Sequence, residues 1–156
     1  MKINLLWGNG DPISGYVNVD PHSYDKENVT NGDVTNLDDI VEDSEATEIL
    51  AGDIIDYLPF DIAIKAIGHW TKKLRHKGKL TVGGNDLYEI SKIFSQRAID
   101  LKEALDVLHG SQNKPWEFKA SHTTVSDLAE ILEAHGLTVL KKRVNGFRMV
   151  VEAVRP

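Results

Sequence analysis

The sequence contains no cysteine, and its six histidines are scattered along the chain. Without cysteine, disulfide bonds, thiolate catalysis and cysteine-based zinc sites are excluded. No two histidines stand three or four residues apart, the spacing that places two imidazoles on one helical face. The sequence therefore predicts a protein with no bound metal.

Long hydrophobic runs and an excess of basic charge are also missing. No apolar run approaches the roughly 20 residues that cross a bilayer, and the opening MKINLLWGNGD lacks the apolar core of a signal peptide. We therefore expect a cytoplasmic protein without a membrane partner. The net charge of −6 argues against nucleic acid as a partner, because nucleic-acid binding needs a basic face.

What the chain does have is an alternation of strand and helix patterns. Strands are predicted at KINLLW, YVNVD, a short segment near Asp33 and Val34, ATEILAG and KLTVGG. Helical spacing follows in residues 59–78, with Gly78 as the expected C-terminal cap, and again in 85–94, 97–110 and 123–136. The closing LTVLKKRV, NG and FRMVVEAVR predict a hairpin with a type I′ turn.

This alternation predicts one α/β domain that covers residues 1–156. Strands that alternate with helices form a mostly parallel sheet with helices on both faces, so we expect a three-layer sandwich. The hairpin adds an antiparallel edge at the C-terminus. We expect Asp86 to cap the helix that starts at Leu87, and Thr124 or Ser126 to cap the last helix.

Glycine and aspartate stand where the predicted strands end. The first strand runs into the turn Gly8 to Gly10, the second ends at Asp20, and the fourth ends at Gly52 and Asp53. In parallel sheets the carboxyl ends of the strands form the ligand site. Glycine lets the backbone approach a ligand closely, and an aspartate there accepts hydrogen bonds from both ribose hydroxyls. The pattern predicts a pocket for a nucleoside with a polar tail.

Other interpretations of the glycine turn have to be weighed. Gly-Asn-Gly-Asp-Pro is also an ordinary turn sequence. About nine residues separate the first two strands, fewer than a parallel crossover usually needs, so the residues alone leave a hairpin open. A P-loop is excluded because its Lys-Ser/Thr is missing. A dinucleotide fingerprint is excluded because Ile13 replaces its third glycine.

Several stretches resemble small class I S-adenosylmethionine-dependent methyltransferases. INLLWGNGDPISGYVNVD is similar to the family's opening, which is typically Leu-Asn-Leu-Gly-Cys-Gly, a short Pro-containing loop and Gly-Tyr-x-Asn-x-Asp. GDVTNL, the block from ILAGDIIDYLPF to GGNDL, and HGSQNKPWEFKASHTT with the helix and strand after it resemble later parts of the family. The resemblance implies a minimal Rossmann-like sandwich, S-adenosylmethionine as cofactor and an abbreviated, parallel first crossover.

The resemblance also implies which residues hold the methionine and ribose parts of the cofactor. Gly8, Asn9 and Gly10 would contact the methionine end. Asp20 would accept hydrogen bonds from the ribose hydroxyls. Gly52 would line the floor beneath the sulfonium.

The adenine and the reacting groups are assigned in the same way. Pro21 or His22 would flank the adenine, while Asp33 and Val34 would bind and cover its edge. The catalytic candidates are Asp53, beneath the sulfonium, and His122, which matches an isolated histidine of the family. A surface or capping role for His122 is the alternative.

The implied activity is in-line methyl transfer to a small-molecule or glycan-type acceptor. Two positions depart from the family's pattern: Leu6 replaces its first glycine and Trp7 replaces its cysteine. They leave open an alternative, a noncatalytic S-adenosylmethionine- or nucleoside-binding module with a degenerate pocket. A homodimer is compatible with either function.

Overall fold

The computed structural model describes residues 1–22 and 25–156, which form seven strands, four α-helices and one short 3₁₀ helix. The strands are β1 (Lys2–Leu5), β2 (Val17–Asp20), β3 (Val29–Asn31), β4 (Ala46–Ala51), β5 (Leu74–Asn85), β6 (Thr138–Asn145) and β7 (Arg148–Val154). The 3₁₀ helix is Ile55–Tyr57, and the α-helices are α1 (Phe60–Lys73), α2 (Leu87–Ser95), α3 (Leu101–His109) and α4 (Val125–Ala134).

All seven strands belong to one sheet in the order β3-β2-β1-β4-β5-β7-β6. The pairs among β1 to β5 are parallel, whereas β7 runs antiparallel to both β5 and β6. The predicted fold class, a mostly parallel Rossmann-like α/β sheet with a C-terminal antiparallel hairpin, is confirmed. β3 lies just before Asp33 and Val34 instead of at them.

The first crossover is a loop without a helix. β1 and β2 pair in parallel, with Ile3 opposite Val17, and residues 6–16 connect them with no helical turn. The hairpin that the residues had left open is therefore excluded. The short connection also places the ends of β1 and β2 side by side.

Helix α1 ends earlier than predicted. Its last residue is Lys73, and Leu74 already belongs to β5, where it is fully buried and pairs with Ala46. Gly78 lies inside this strand instead of capping the helix. A Cβ at Gly78 would lie 2.9 Å from the carbonyl oxygen of Ala46, so glycine is needed there for the close approach of β4 and β5.

The predicted caps are confirmed for two helices. Asp86 accepts a hydrogen bond from the backbone of Glu89 at the start of α2, and Thr124 caps α4. In the hairpin, Asn145 pairs with Arg148, so the loop residues are 146 and 147. Only the first of them has a positive φ, +63°, which identifies a type II′ turn in place of the predicted I′.

The two faces of the sheet differ in chemistry. Helices α1 and α4 pack against one face, where they bury Ile67, Trp70, Leu128, Leu132, Val82, Met149 and Val151. Alternate residues point to the opposite face, which carries the ion pairs Lys2–Glu48 (3.7 Å) and Lys79–Glu152 (3.4 Å). The loop 6–16 brings no apolar helix face to this side, so polar side chains can remain in contact with water there.

Helix α3 reaches this polar face at the carboxyl end of the sheet, where Asn85 donates a hydrogen bond to the carbonyl of Val107 (3.3 Å). The second helical layer is therefore located near the strand ends that carry the candidate site. No helix in residues 1–22 and 25–156 is long and apolar enough to cross a membrane.

Candidate functional site

The glycine turn and Asp20 meet at the carboxyl ends of β1 and β2. Both oxygens of the Asp20 carboxylate accept the backbone N–H of Gly8, at 2.9 and 3.0 Å, and one also accepts the N–H of His22 at 2.8 Å. Asp20 is only 1% exposed. A parallel register brings these two strand ends together, and the carboxylate then fixes the orientation of the turn.

The contacts continue from the turn to the end of β4. The Asn9 amide donates to Asp53 Oδ2 at 3.3 Å, and Arg148 Nη1 donates to Asp53 Oδ1 at 3.3 Å. A second Arg148 nitrogen lies 3.4 Å from the carbonyl of Gly52. The structure thus places Gly52 and Asp53 beside the glycine turn, as the sequence analysis expected.

Arg148 is a site residue that the sequence analysis missed. It lies opposite Asn85, the last residue of β5, because β7 starts at the carboxyl end of the sheet. The predicted hairpin contained this signal, since a strand that pairs antiparallel with β5 must begin at the edge of the sheet where β5 ends.

Four aromatic side chains cover the glycine turn; we call Trp7, His22, Tyr57 and Trp116 the aromatic cluster. The His22 and Trp116 rings are parallel, 4.7 Å apart with an interplanar angle of 5°. Trp7 lies edge-on to His22 at 4.5 Å and stacks on Tyr57 at 5.9 Å. Its indole N–H also donates to the carbonyl of Trp116 at 2.8 Å.

The aromatic cluster fills the space directly above the turn. Gly8 has a φ of +72°, and a Cβ there would lie 2.4 Å from Nε1 of Trp116. Glycine is therefore required at this position both for its backbone conformation and for the contact with the indole. Burial lowers the pKa of His22, which favours a neutral imidazole in the stack.

The remaining residues predicted to bind the cofactor lie in different surroundings. Gly10 is exposed with a φ of +75°, and Pro21 is half-buried directly after Asp20. Asp33 is exposed, and its carboxylate accepts hydrogen bonds from the backbone and hydroxyl of Thr35.

Val34 is buried. Its side chain is 1% exposed within the hydrophobic core, and its carbonyl accepts the indole N–H of Trp70 at 2.8 Å. Its assignment to the adenine edge stays a prediction.

A second polar cluster lies at the ends of β4 and β5. Asp56 is 1% exposed, accepts the backbone N–H of Asn85 at 2.9 Å and lies 3.9 Å from the ammonium of Lys119. Burial raises the pKa of Asp56 and lowers the pKa of Lys119. Burial also raises the pKa of the neighbouring Tyr57 to about 12. Perturbed pKa values of this kind are common at functional sites.

His122 belongs to this second cluster. Its Nε2 donates a hydrogen bond to the carbonyl of Leu108. Nδ1 of His122 and Oδ1 of Asp56 are both buried without a hydrogen-bond partner in the described part of the chain. Within the same residues no hydrogen bond or ion pair connects His122 with Asp53, so the two predicted catalytic groups lie in separate clusters.

Comparison with known proteins identifies the fold. No family model and no curated protein matches the sequence. Among solved structures, the chain is similar to the 1,6-didemethyltoxoflavin-N1-methyltransferase of Burkholderia thailandensis, solved with S-adenosylhomocysteine, at 14% identity and a TM-score of 0.60. The match covers 98% of this chain and 70% of that one.

Two further solved structures agree. A SAM-dependent methyltransferase from Thermotoga maritima matches with 17% identity and a TM-score of 0.60, covering 89% of this chain and 72% of that one. One from Archaeoglobus fulgidus matches with 11% identity and a TM-score of 0.57, covering 89% and 75%. The chain has the Rossmann-like fold of the class I S-adenosylmethionine-dependent methyltransferases.

Proposed function

We propose that this protein is an S-adenosylmethionine-dependent methyltransferase whose cofactor binds at the ends of β1 and β2. The observation that carries the proposal is the contact between the Gly8 turn and the Asp20 carboxylate. An acid at the second strand end, beside a glycine turn at the first, is the arrangement that can hold a ribose and its polar tail.

The residues at this edge fit the cofactor. A carboxylate has about four lone-pair positions, and Asp20 uses part of them for the N–H groups of Gly8 and His22. Gly8 and Gly10 both have positive φ angles, which allow the backbone to approach a ligand. Asp53 places negative charge where a sulfonium would be attracted. The indole of Trp116 now fills the space above Gly8, so this side chain has to move before a nucleoside can enter.

S-adenosylmethionine, when bound, would supply a methyl group on a cationic sulfur, to which an acceptor lone pair could bond in line while the sulfur leaves with the electrons of the carbon–sulfur bond. The protein has to align the acceptor and accept its proton. We assign the role of proton acceptor to Asp53, which is partly exposed and is oriented by Asn9 and Arg148. His122 is less suited as the base, because its Nε2 donates a hydrogen bond to a backbone carbonyl and its Nδ1 is buried.

We propose a small-molecule or glycan-type acceptor. The Burkholderia thailandensis neighbour supports the small-molecule class, because it was solved with 1,6-didemethyltoxoflavin and S-adenosylhomocysteine bound. A homodimer remains a prediction.

Isothermal titration calorimetry with S-adenosylhomocysteine tests the proposal. We expect the wild-type protein to bind, and we expect Asp20→Ala to weaken binding by about 1–3 kcal/mol, the worth of a hydrogen bond to a charged group. Glu45→Ala is the control, because Glu45 is an exposed carboxylate just before β4, away from the carboxyl ends of the strands, at which the described residues show no hydrogen bond or ion pair. Thermal melts establish that each variant is folded.

A wild-type protein that does not bind S-adenosylhomocysteine contradicts the proposal. An Asp20→Ala variant that binds as tightly as wild type removes Asp20 from the site. Binding without methyl transfer to any of a panel of small-molecule and glycan acceptors indicates the noncatalytic binding module.

A further inference from the structure

The loop between α3 and α4 contains a compact unit, residues 110–119, that we call the strap. Three backbone hydrogen bonds close it: Lys119 to His109 (3.1 Å), Gln112 to Glu117 (3.1 Å) and Glu117 to Lys114 (3.0 Å). Because these bonds connect the strap to itself and to its own base, its tip, residues 111–118, can change position without losing them while Lys119 stays beside Asp56.

Within residues 1–22 and 25–156, the hydrogen bonds and ring contacts between the strap and the β1–β2 end all involve Trp116. The Trp116 indole lies flat on His22, and the Trp116 carbonyl accepts the indole N–H of Trp7. His22 follows Asp20 by two residues, and its Cβ lies 3.3 Å from the position that a Cβ on Gly8 would occupy. The Trp116 ring is therefore stacked on His22, close to the Asp20 carboxylate that we propose as the ligand of the ribose.

The fit between the strap and the site is incomplete. Nε1 of Trp116 and Nε2 of His22 are both buried, and neither has a hydrogen-bond partner in the described residues. A buried polar group without a partner destabilises the state that contains it. The closed position of the strap is therefore opposed by two unpaired ring nitrogens that would regain partners in water when the strap opens.

We propose that Trp116 occupies the adenine position of the cofactor site and that the strap must swing away before a nucleoside binds. This inference rests on the proposed function. The closed strap then competes with the cofactor, and the apparent affinity is the intrinsic affinity multiplied by the fraction of molecules in which the strap is open. The protein regulates access to its site with its own side chain.

Substitution of Trp116 tests the competition. Calorimetry with S-adenosylhomocysteine should show that Trp116→Ala binds about 10-fold or more tightly than wild type, since an open state populated at 10% or less limits the wild-type affinity. Phe118→Ala is the matched control: Phe118 is an aromatic residue of the same strap, is 51% exposed, and should leave the affinity unchanged.

Fluorine NMR gives a second measurement on the intact side chain. Protein labelled with 5-fluorotryptophan contains three labelled positions, 7, 70 and 116. Adding S-adenosylhomocysteine should move the Trp116 resonance to the position of a solvent-exposed indole. The resonance of Trp70, which is fully buried in the core, should not move.

The outcomes separate this inference from the proposed function. If wild type and Trp116→Ala bind equally, or the variant binds more weakly, the cofactor site stands and the competition is refuted. The competition is also refuted, and the cofactor site also stands, if wild type binds while the Trp116 resonance does not move. If neither protein binds, the proposed function fails, and the assignment of Trp116 to the adenine position fails with it.

Discussion

Asp20 and Asp56 are equally buried, at 1% exposure, yet their carboxylates have different partners. Asp20 accepts backbone N–H groups from Gly8 and His22, and both of its oxygens are bonded. Asp56 has one N–H partner on one oxygen, an ammonium 3.9 Å away and no partner for its other oxygen among the described residues. The carboxylate at the β1–β2 end is thus held by backbone N–H groups, whereas at the β4–β5 end burial raises the pKa of Asp56 and lowers the pKa of Lys119.

The largest effect is expected at the β4–β5 end. Asp56→Ala leaves the N–H of Asn85 unpaired and the buried ammonium of Lys119 without its counter-charge. Removing one partner of such a pair costs about 3–5 kcal/mol. We expect a loss of this size in the free energy of unfolding, measured by urea denaturation at pH 7.

Asp56→Asn is the control for that loss. The amide oxygen still accepts the N–H of Asn85, and the buried negative charge, which burial disfavours, is removed. We expect a smaller loss than with alanine, by the roughly 1–3 kcal/mol that an unsatisfied buried N–H costs, while the part due to the uncompensated Lys119 ammonium remains. Equal losses in the two variants would show that the charge on Asp56, and not its hydrogen bond, stabilises this end.

A change of pH should affect the two ends in opposite directions. Burial lowers the pKa of His22 in the folded protein from its ordinary value of 6.5, so the unfolded chain binds more protons near and below that pH. The contribution of His22 to stability is therefore present above pH 6.5 and is lost as the pH falls towards the folded pKa. For Asp56, burial raises the pKa, so its contribution is present below 3.8 and is lost as the pH rises through the folded value.

The histidine contribution is measured as a difference. The urea midpoint should fall more between pH 7 and pH 5 in wild type than in His22→Phe, because phenylalanine keeps the stacking but does not titrate. His69 has a pKa lowered in the same direction and is present in both proteins, so it cancels. Parallel pH curves for the two proteins would contradict a buried, neutral His22.

The smallest effect on stability is expected for Arg148, whose side chain donates to Asp53 and Asn85 at the ends of β4 and β5. Its ion pair with Asp53 is exposed, and such pairs contribute about 1 kcal/mol or less. Arg148→Ala should therefore alter the free energy of unfolding no more than Lys102→Ala, which removes the exposed pair with Asp106.

Ligand binding should distinguish these two variants. Without Arg148, the charge of Asp53 is no longer neutralised, and a sulfonium is attracted more strongly. The affinity for S-adenosylmethionine relative to S-adenosylhomocysteine should rise a few-fold in Arg148→Ala, because about 1 kcal/mol corresponds to roughly a fivefold change. Lys102→Ala should keep the wild-type ratio. An unchanged ratio in Arg148→Ala would place the sulfur away from Asp53.

Local sequence signals account for much of the fold and for the polar residues of the candidate site at the ends of β1 and β2. Alternating apolar patterns located the strands, and short polar side chains located the caps at Asp86 and Thr124. Residue type identified the polar strand ends Gly8 and Asp20, whereas their meeting followed from the parallel crossover that the family resemblance implied, since the residues alone left a hairpin open. The end of α1 was not, since residues 74–78 extend to pair with β4, and a tertiary partner outweighs helical propensity.

By itself, the sequence determined the order of strands and helices, the polar tips of the strands and the absence of metal-binding motifs, because these depend on residue type and short-range spacing. Only the tertiary structure decided that Trp116 lies on His22, that Lys119 faces Asp56 and that Val34 points into the core. Trp7 and Trp116 are 109 residues apart, and no local pattern encodes such a contact. It arises when a parallel sheet gathers its loops at one edge, where burial then selects which side chains fill the space.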